Sequence, residues 1–338
     1  MSKNKNNLFL EYVSEYENQD IDIDKLRPNK SYDFLIKNRN QDLNKLLKSK
    51  TKIKKFLINR KCPSCDSKKK KLVIKKDNLN IVECINCTLI YVSPTFNYDH
   101  YISLYKKNEY QKIVKKLGEK SHNYRRKRFG SERVNILKKF LKKKRSYEIL
   151  EIGCSTGFFL EEANKFGWKT HGLELNPSAV DFAKKRGLNV KNDDFLKIDL
   201  KKKFDVICAF DVLEHLIDPK KIIKKAHKYL KKGGLIFVYV PNWQSATRLL
   251  LGEKNSHFIW PTHHLTYFTP NTLKHFFENL GFTLLHWETK GLDLIDIDWY
   301  LNHINDNKSK FFKNNLEKLQ FFINSAGYGK NLRMIFKK

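Results

Sequence analysis

Long apolar runs are missing from this 338-residue chain; the longest, Leu235 to Val240, is far too short to cross a bilayer. The first residues, Met-Ser-Lys-Asn-Lys and then a short apolar patch at Leu8 to Leu10, lack the pattern of a secretory signal, so export is not expected. Cysteine is scarce at six residues, which excludes a disulfide scaffold and fits the reducing cytoplasm. Acidic residues are few: 36 Asp and Glu stand against 67 Lys and Arg, a net charge of +31. An excess of that size suits an anionic partner. The lysines are nevertheless spread through every segment, and Lys, Asn and Ile are over-used together, as AT-rich codons would produce. A dedicated nucleic-acid surface gathers its charge on one face, so nucleic acid is not the favoured partner.

Four of the cysteines are grouped. Cys62-Pro63-Ser64-Cys65 and Cys84-Ile85-Asn86-Cys87 form two C-x-x-C pairs, separated by the chain from Asp66 to Glu83. Two such turns set four thiolates around one Zn²⁺, with a hairpin between them. A closed site of four cysteines leaves no open position for chemistry, so the expected zinc is structural. The C-x-x-x-C-x-x-C of radical enzymes is absent.

Several segments are expected along the chain. Residues 1–57 form a polar extension with short helices suggested by Leu43, Leu46, Leu47 and Phe56. The cysteine module occupies 58–96, with apolar strand residues such as Leu72, Val73 and Ile74. A connector bearing Tyr98, Tyr101, Tyr105 and Tyr110 covers 97–120, followed by a basic helical stretch from Ser121 to Lys144.

From Tyr147 strands and helices alternate. Strands are expected at Glu148 to Ile152, Lys169 to Leu175, Val190, Phe204 to Phe210, Leu235 to Val240, Phe282 to Trp287 and Asn331 to Phe336. Helices are expected at Gly157 to Phe166, Pro177 to Arg186, Pro219 to Leu230 and Asn271 to Leu280. Gly233-Gly234 reads as a left-handed stop after the third helix. Residues 291–326 read as a helical insertion. The alternation argues an α/β domain over 121–338 with a mostly parallel sheet covered on both faces.

The strongest local pattern is Ile149-Leu150-Glu151-Ile152-Gly153-Cys154-Ser155-Thr156-Gly157. A buried strand enters a glycine turn that opens a helix, where bare backbone can approach a ligand. The spacing differs from the dinucleotide fingerprint, because Ser155 takes the middle place and the turn ends at Gly157. Glu174 ends the next strand, as is needed to accept hydrogen bonds from two ribose hydroxyls.

This stretch resembles motif I of the class I S-adenosylmethionine-dependent methyltransferases. Phe204-Asp205-Val206-Ile207 with Asp211-Val212-Leu213-Glu214-His215-Leu216-Ile217-Asp218-Pro219 resembles the fourth-strand signature of the same family, and Leu230-Lys231-Lys232-Gly233-Gly234 with Pro241-Asn242 its fifth-strand region. The likeness covers about residues 120–338. It implies a Rossmann-like sheet of seven mostly parallel strands with helices on both faces, preceded by a small zinc ribbon. It also implies S-adenosyl-L-methionine as cofactor, with Glu151, Gly153, Ser155 and Gly157 around its methionine part and Glu174 on the ribose. Asp194 and Phe195 would flank the adenine, and Asp211 would lie beside the methionine end.

Methyl transfer needs an oriented acceptor and, for some acceptors, a base. No Asn-Pro-Pro-Tyr or Asp-Pro-Pro-Tyr follows the fourth strand, and no Pro-Cys nucleophile occurs. Nucleobase amines and pyrimidine carbons are therefore disfavoured, leaving a hydroxyl or an activated carbon. The base candidates are His215 and His264. His264 lies in Trp260-Pro261-Thr262-His263-His264-Leu265-Thr266-Tyr267-Phe268-Thr269, similar to the Y-H-E-H-L-S-Y-F-S segment of zinc-containing sugar C-methyltransferases. Pro261 and His263 depart from that segment, which weighs against carbon methylation. The cysteine module with Leu89 to Pro94 resembles the N-terminal part of sugar and surface-polysaccharide methyltransferases. A small or glycan-type acceptor follows from that likeness, a nucleotide-sugar of polysaccharide biosynthesis among them. Two other readings are an RNA methyltransferase that grips phosphates with its basic surface, and an inactive zinc-ribbon binding protein.

Overall fold

The computed structural model describes residues 21–26, 28, 37–38, 41, 56–100, 108–142, 146–256, 258–304 and 316–338. Leu43, Leu46, Leu47, Tyr101 and Tyr105 lie outside these residues, as does 305–315 of the expected insertion.

Seven strands form the central sheet. They are β6 (Glu148–Ile152), β7 (Lys169–Glu174), β8 (Val190–Asn192), β9 (Phe204–Phe210), β10 (Leu230–Pro241), β12 (Thr283–Lys290) and β13 (Asn331–Lys337). Their order is β12-β13-β10-β9-β6-β7-β8. Every pair from β8 to β10 is parallel, and β13 alone runs against its neighbours. This is the expected α/β architecture. Alternate residues of β10 enter opposite cores: Ile236, Val238 and Val240 pack on one face, Leu235, Phe237 and Tyr239 on the other. A strand buried on both sides is why Leu235 to Val240 is apolar without a break. The chain steps outward from β6 to β8 and then returns to β9 on the other side of β6. Ligands of open α/β sheets bind at such a switch point, beyond the carboxyl ends of the strands.

The helices begin where their sequences say they should. Pro177–Lys185 and Pro219–Tyr229 have proline in the first turn and are capped by the side chains of Asn176 and Asp218. Phe158–Lys165 starts directly after Gly157, and Pro270–Glu278 opens with a Thr269–Thr272 capping pair. The basic stretch is a helix Asn108–Arg125, one wide turn Arg126–Gly130 and a second helix Ser131–Phe140. The first of these helices begins inside the expected connector.

One expectation fails. Gly233-Gly234 does not stop the helix, which ends at Tyr229 as Leu230 turns to extended backbone. Leu230 already pairs with Phe204, and the register slips between Leu230 and Leu235. The glycines sit in that bulge, Gly233 at φ 69°. A Cβ on Gly234 would meet the Lys231 and Asp205 carbonyls at 3.0 and 3.1 Å, so close backbone explains Gly234 and the left-handed φ explains Gly233.

The cysteine segment does not stand apart. β2 (Lys70–Lys76), β3 (Leu79–Cys84) and β4 (Ile90–Val92) form an antiparallel sheet whose fourth strand is β11 (Thr266–Tyr267), from the far end of the chain. On β3, Val82 and Cys84 join the central-sheet core, while Leu79 and Ile81 pack with Trp243, Phe258 and Leu265. A short pair, β1 (Leu57–Ile58) with β5 (Thr95–Phe96), closes its base.

Candidate active site

The turn after β6 takes its shape first from its backbone. Gly153, Ser155 and Gly157 have φ of 70°, 50° and 75°, and the Gly153 and Cys154 N–H groups both donate to the Leu173 carbonyl. A Cβ on Gly157 would lie 2.5 Å from Leu188 Cδ1. The Glu174 carboxylate, at the tip of β7, accepts from the Ser155 and Asn176 N–H groups, both at 2.8 Å. The Ser155 bond ties the tip of β7 to the turn after β6, while the Asn176 bond fixes the carboxylate within its own loop. Burial nevertheless raises the Glu174 carboxyl above its ordinary value, against the pull of those N–H groups.

Glu151 is only 2% exposed, and its Oε2 has no hydrogen-bond partner. Burial pushes its carboxyl up to about 8, although Arg133 Nη1 lies 4.0 Å away. Arg133 is itself enclosed by the rings of Phe158, Phe210 and Tyr239, the nearest centroid at 4.1 Å. Two buried carboxyl groups on neighbouring strands, one with an unpartnered oxygen, form an acceptor set for a ligand with hydroxyls and an ammonium group. S-Adenosylmethionine has those features, so the residues present fit it.

The remaining expected cofactor residues lie on the same edge. Asp194 caps its own loop through the Leu196 N–H and accepts the Tyr98 hydroxyl at 2.9 Å. Burial and that bond raise the Tyr98 phenol to about 12. Phe195 is buried in the core beside it. Asp211 follows β9 with φ 57°, its side chain exposed and its N–H bound to the Tyr239 carbonyl.

His122, on the helix before β6, is a residue the sequence did not single out. Its Nε2 donates to Glu161 at 2.8 Å, which leaves Nδ1 to accept from the Thr156 hydroxyl at 2.9 Å. Burial lowers its pKa. The ring thus pins the glycine turn from above. No sequence pattern marks it, because two separate helices meet there.

His215 and His264 come together although 48 residues separate them in sequence from first to last neighbour, His215 Nδ1 donating to the His263 carbonyl at 3.0 Å. His264 Nδ1 donates to the Phe258 carbonyl at 2.5 Å, and the ring centroids stand 4.9 Å apart. Each ring is therefore fixed with its Nε2 lone pair free of those bonds. Burial lowers both pKa values, His264 well below its ordinary range. Glu214, between Asp211 and His215 in the same signature, joins them: the three ligand atoms lie within 4.8 Å of one another. Arg60 holds this edge in place, donating to the carbonyls of Ile217, Leu265 and Leu216 and to the Thr266 hydroxyl.

The four cysteine sulfurs also lie within 4.8 Å of one another, with Cys62 to Cys87 at 3.4 Å and Cys65 to Cys84 at 3.5 Å. A tetrahedral Zn²⁺ with bonds near 2.3 Å wants sulfurs roughly 3.8 Å apart. The two turns match one another: Asp66 N–H donates to Cys62 O, Thr88 N–H to Cys84 O, and both residues have positive φ. The hydrogen bond from the Cys62 thiol pulls the Cys87 thiol below its ordinary value. The site fits zinc.

Residues 122–287 match the family model described as a methyltransferase domain. This is the α/β methyltransferase fold. The methyltransferase region is 31% identical over 136 residues to the ubiquinone biosynthesis O-methyltransferase of Pelagibacter ubique (strain HTCC1062), covering 36% of this chain and 55% of that protein. To the mitochondrial ubiquinone biosynthesis O-methyltransferase of Dictyostelium discoideum it is 27% identical over 154 residues, covering 39% and 48%. The chain spans about half the length of the curated relatives it matches. A crystal structure of a SAM dependent methyltransferase from Archaeoglobus fulgidus aligns at 22% identity and a TM-score of 0.42, over 63% of this chain and 94% of that one. No helix among the described residues is long and apolar enough to cross a membrane.

Proposed function

We propose that this protein is an S-adenosylmethionine-dependent methyltransferase acting on a hydroxyl of a small-molecule acceptor. The observation that carries this reading is the Glu174 carboxylate, joined to the glycine turn at Ser155, with the unpartnered Glu151 oxygen on the strand beside it. Glu174 would hold the ribose, Gly153, Ser155, Gly157 and Glu151 the methionine part, and Asp194 with Phe195 the adenine. Asp211 would stand beside the methionine end. When bound, the cofactor supplies a methyl group on a sulfonium, open to in-line attack.

The chain's own work is to orient the acceptor, exclude water and manage the hydroxyl proton. His215 and His264, beyond β9 and β10, are assigned the acceptor side. O-Methylation agrees with the names of the curated relatives. A nucleotide-linked or glycan sugar is our finer reading of the acceptor, supported by the cysteine module and the histidine segment. The zinc is assigned a structural role, because all four positions of the site are protein sulfurs. Six free cysteines suit a reducing cytoplasm.

Calorimetry with S-adenosylhomocysteine tests the reading. The wild-type chain should bind it, and Glu174→Ala should weaken binding at least tenfold. Equal affinity in the two proteins would remove the ribose assignment and the carrying observation with it.

A further inference from the structure

We propose that Glu214, His215 and His264 bind a divalent cation through one carboxylate oxygen and the two imidazole Nε2 atoms. The binding itself needs only these side chains; its use on the acceptor rests on the function proposed above.

Three observations meet here. The ligand atoms converge within 4.8 Å, a spacing that a small closure brings onto one ion with bonds near 2.1 Å. Glu214 is 1% exposed, and its Oε2 has no hydrogen-bond partner. Its Oε1 stands 3.8 Å from His215 Nε2, too far for a hydrogen bond, so the histidine does not satisfy this carboxylate. A buried carboxylate left in that state is costly unless something neutralises it. Finally, both rings have their Nδ1 tied to a backbone carbonyl, His263 for one and Phe258 for the other. Metal-bound histidines are oriented in this way, with the second nitrogen anchored and the first presented.

Two imidazoles and one carboxylate on one side of an ion leave its other positions open, a donor set for Mn²⁺, Fe²⁺ or Zn²⁺. This differs from the closed, all-sulfur cluster of the cysteine module. Both His215 and His264 are partly exposed, so a hydroxyl-bearing acceptor can reach the open positions. There the cation would hold the acceptor oxygen and lower the pKa of its hydroxyl. The O–H bond breaks, its electron pair stays on oxygen, and the proton leaves to water.

The test uses the full chain with zinc already loaded, titrated with Mn²⁺ while electron paramagnetic resonance counts the free ion. One Mn²⁺ per chain should bind, with nitrogen couplings from imidazole in the pulsed spectrum. Glu214→Gln and His264→Ala should each weaken binding at least tenfold. His215→Gln gives a second histidine variant should His264→Ala fold poorly, and S-adenosylhomocysteine affinity serves as the folding control. No Mn²⁺ bound at millimolar concentration, or unchanged binding in both histidine variants, would overturn the proposal. Nucleoside binding without Mn²⁺ removes the cation and leaves the methyltransferase reading standing. Mn²⁺ binding without nucleoside sustains the cation and removes that reading.

Discussion

The glycine turn and the histidine cluster lie on one edge of one sheet, yet they are built in opposite ways. The turn is local: Glu151 to Gly157 is one continuous stretch, fixed by its own left-handed residues and by Glu174 from the adjoining strand. The cluster is assembled from afar. His215 follows β9, His264 precedes β11, and Arg60 reaches in from ahead of the cysteine pairs to hold both loops. The glycine turn should therefore survive damage that dissolves the histidine cluster.

The largest separation of the two should come from the four-cysteine cluster. Cys84→Ser, or removal of zinc by a chelator, should lower the melting temperature by on the order of 10 °C, since structural zinc binding is folding free energy. Hydrogen exchange should rise at Leu265 to Phe268, because β11 loses its partner β4. Residues 149–157 should stay protected. Uniform loss of protection along the chain would show that the two halves fold as one.

Arg60→Ala is a smaller version of the same cut. It strips a buried guanidinium from three carbonyls and a hydroxyl, which should destabilise the protein by about 2–4 kcal/mol in denaturant titration. Binding of S-adenosylhomocysteine should change by less than threefold. A large loss of nucleoside affinity would contradict the division drawn here.

Gly157→Ala strikes the other half. The positive φ and the 2.5 Å approach to Leu188 should cost about 2 kcal/mol and weaken nucleoside binding. Exchange at His215 and His264 should not move. A variant with wild-type affinity would mean that the turn tolerates a side chain and does not approach the ligand closely.

The last contrast is a matter of pH and vanishes altogether in acid. Burial lifts the Glu151 carboxyl from an ordinary 4.5 to about 8, so its proton is held more tightly in the folded chain than in the unfolded one. That contribution is complete below pH 4.5 and is lost as pH rises toward 8. Glu151→Gln should thus raise stability at pH 8, by up to about 4 kcal/mol, and leave it unchanged at pH 4. Melting curves at the two values decide it; an equal shift at both would show that the carboxyl does not titrate in this window.

Much of this architecture was legible from local pattern. The strands Glu148–Ile152 and Phe204–Phe210 fall where they were expected, and Pro177 and Pro219 mark two helix starts. The paired cysteines announced their own convergence, because the ligands of a knuckle are neighbours in sequence. Gly233-Gly234 misled, since a glycine pair serves a helix end or a strand bulge equally well, and the register slip against β9 decided between them.

By itself, then, the sequence determined what backbone periodicity and short-range chemistry can encode: the alternating sheet, the turn between β6 and its helix, the acid at the tip of β7 and the four sulfurs. Only the tertiary structure decided that β11 completes the cysteine sheet, that His122 locks Thr156, and that an unpaired Glu214 meets two histidines. Those contacts join segments tens of residues apart. What brings them together is the burial of shared apolar faces, and no spacing within the chain records which faces will meet.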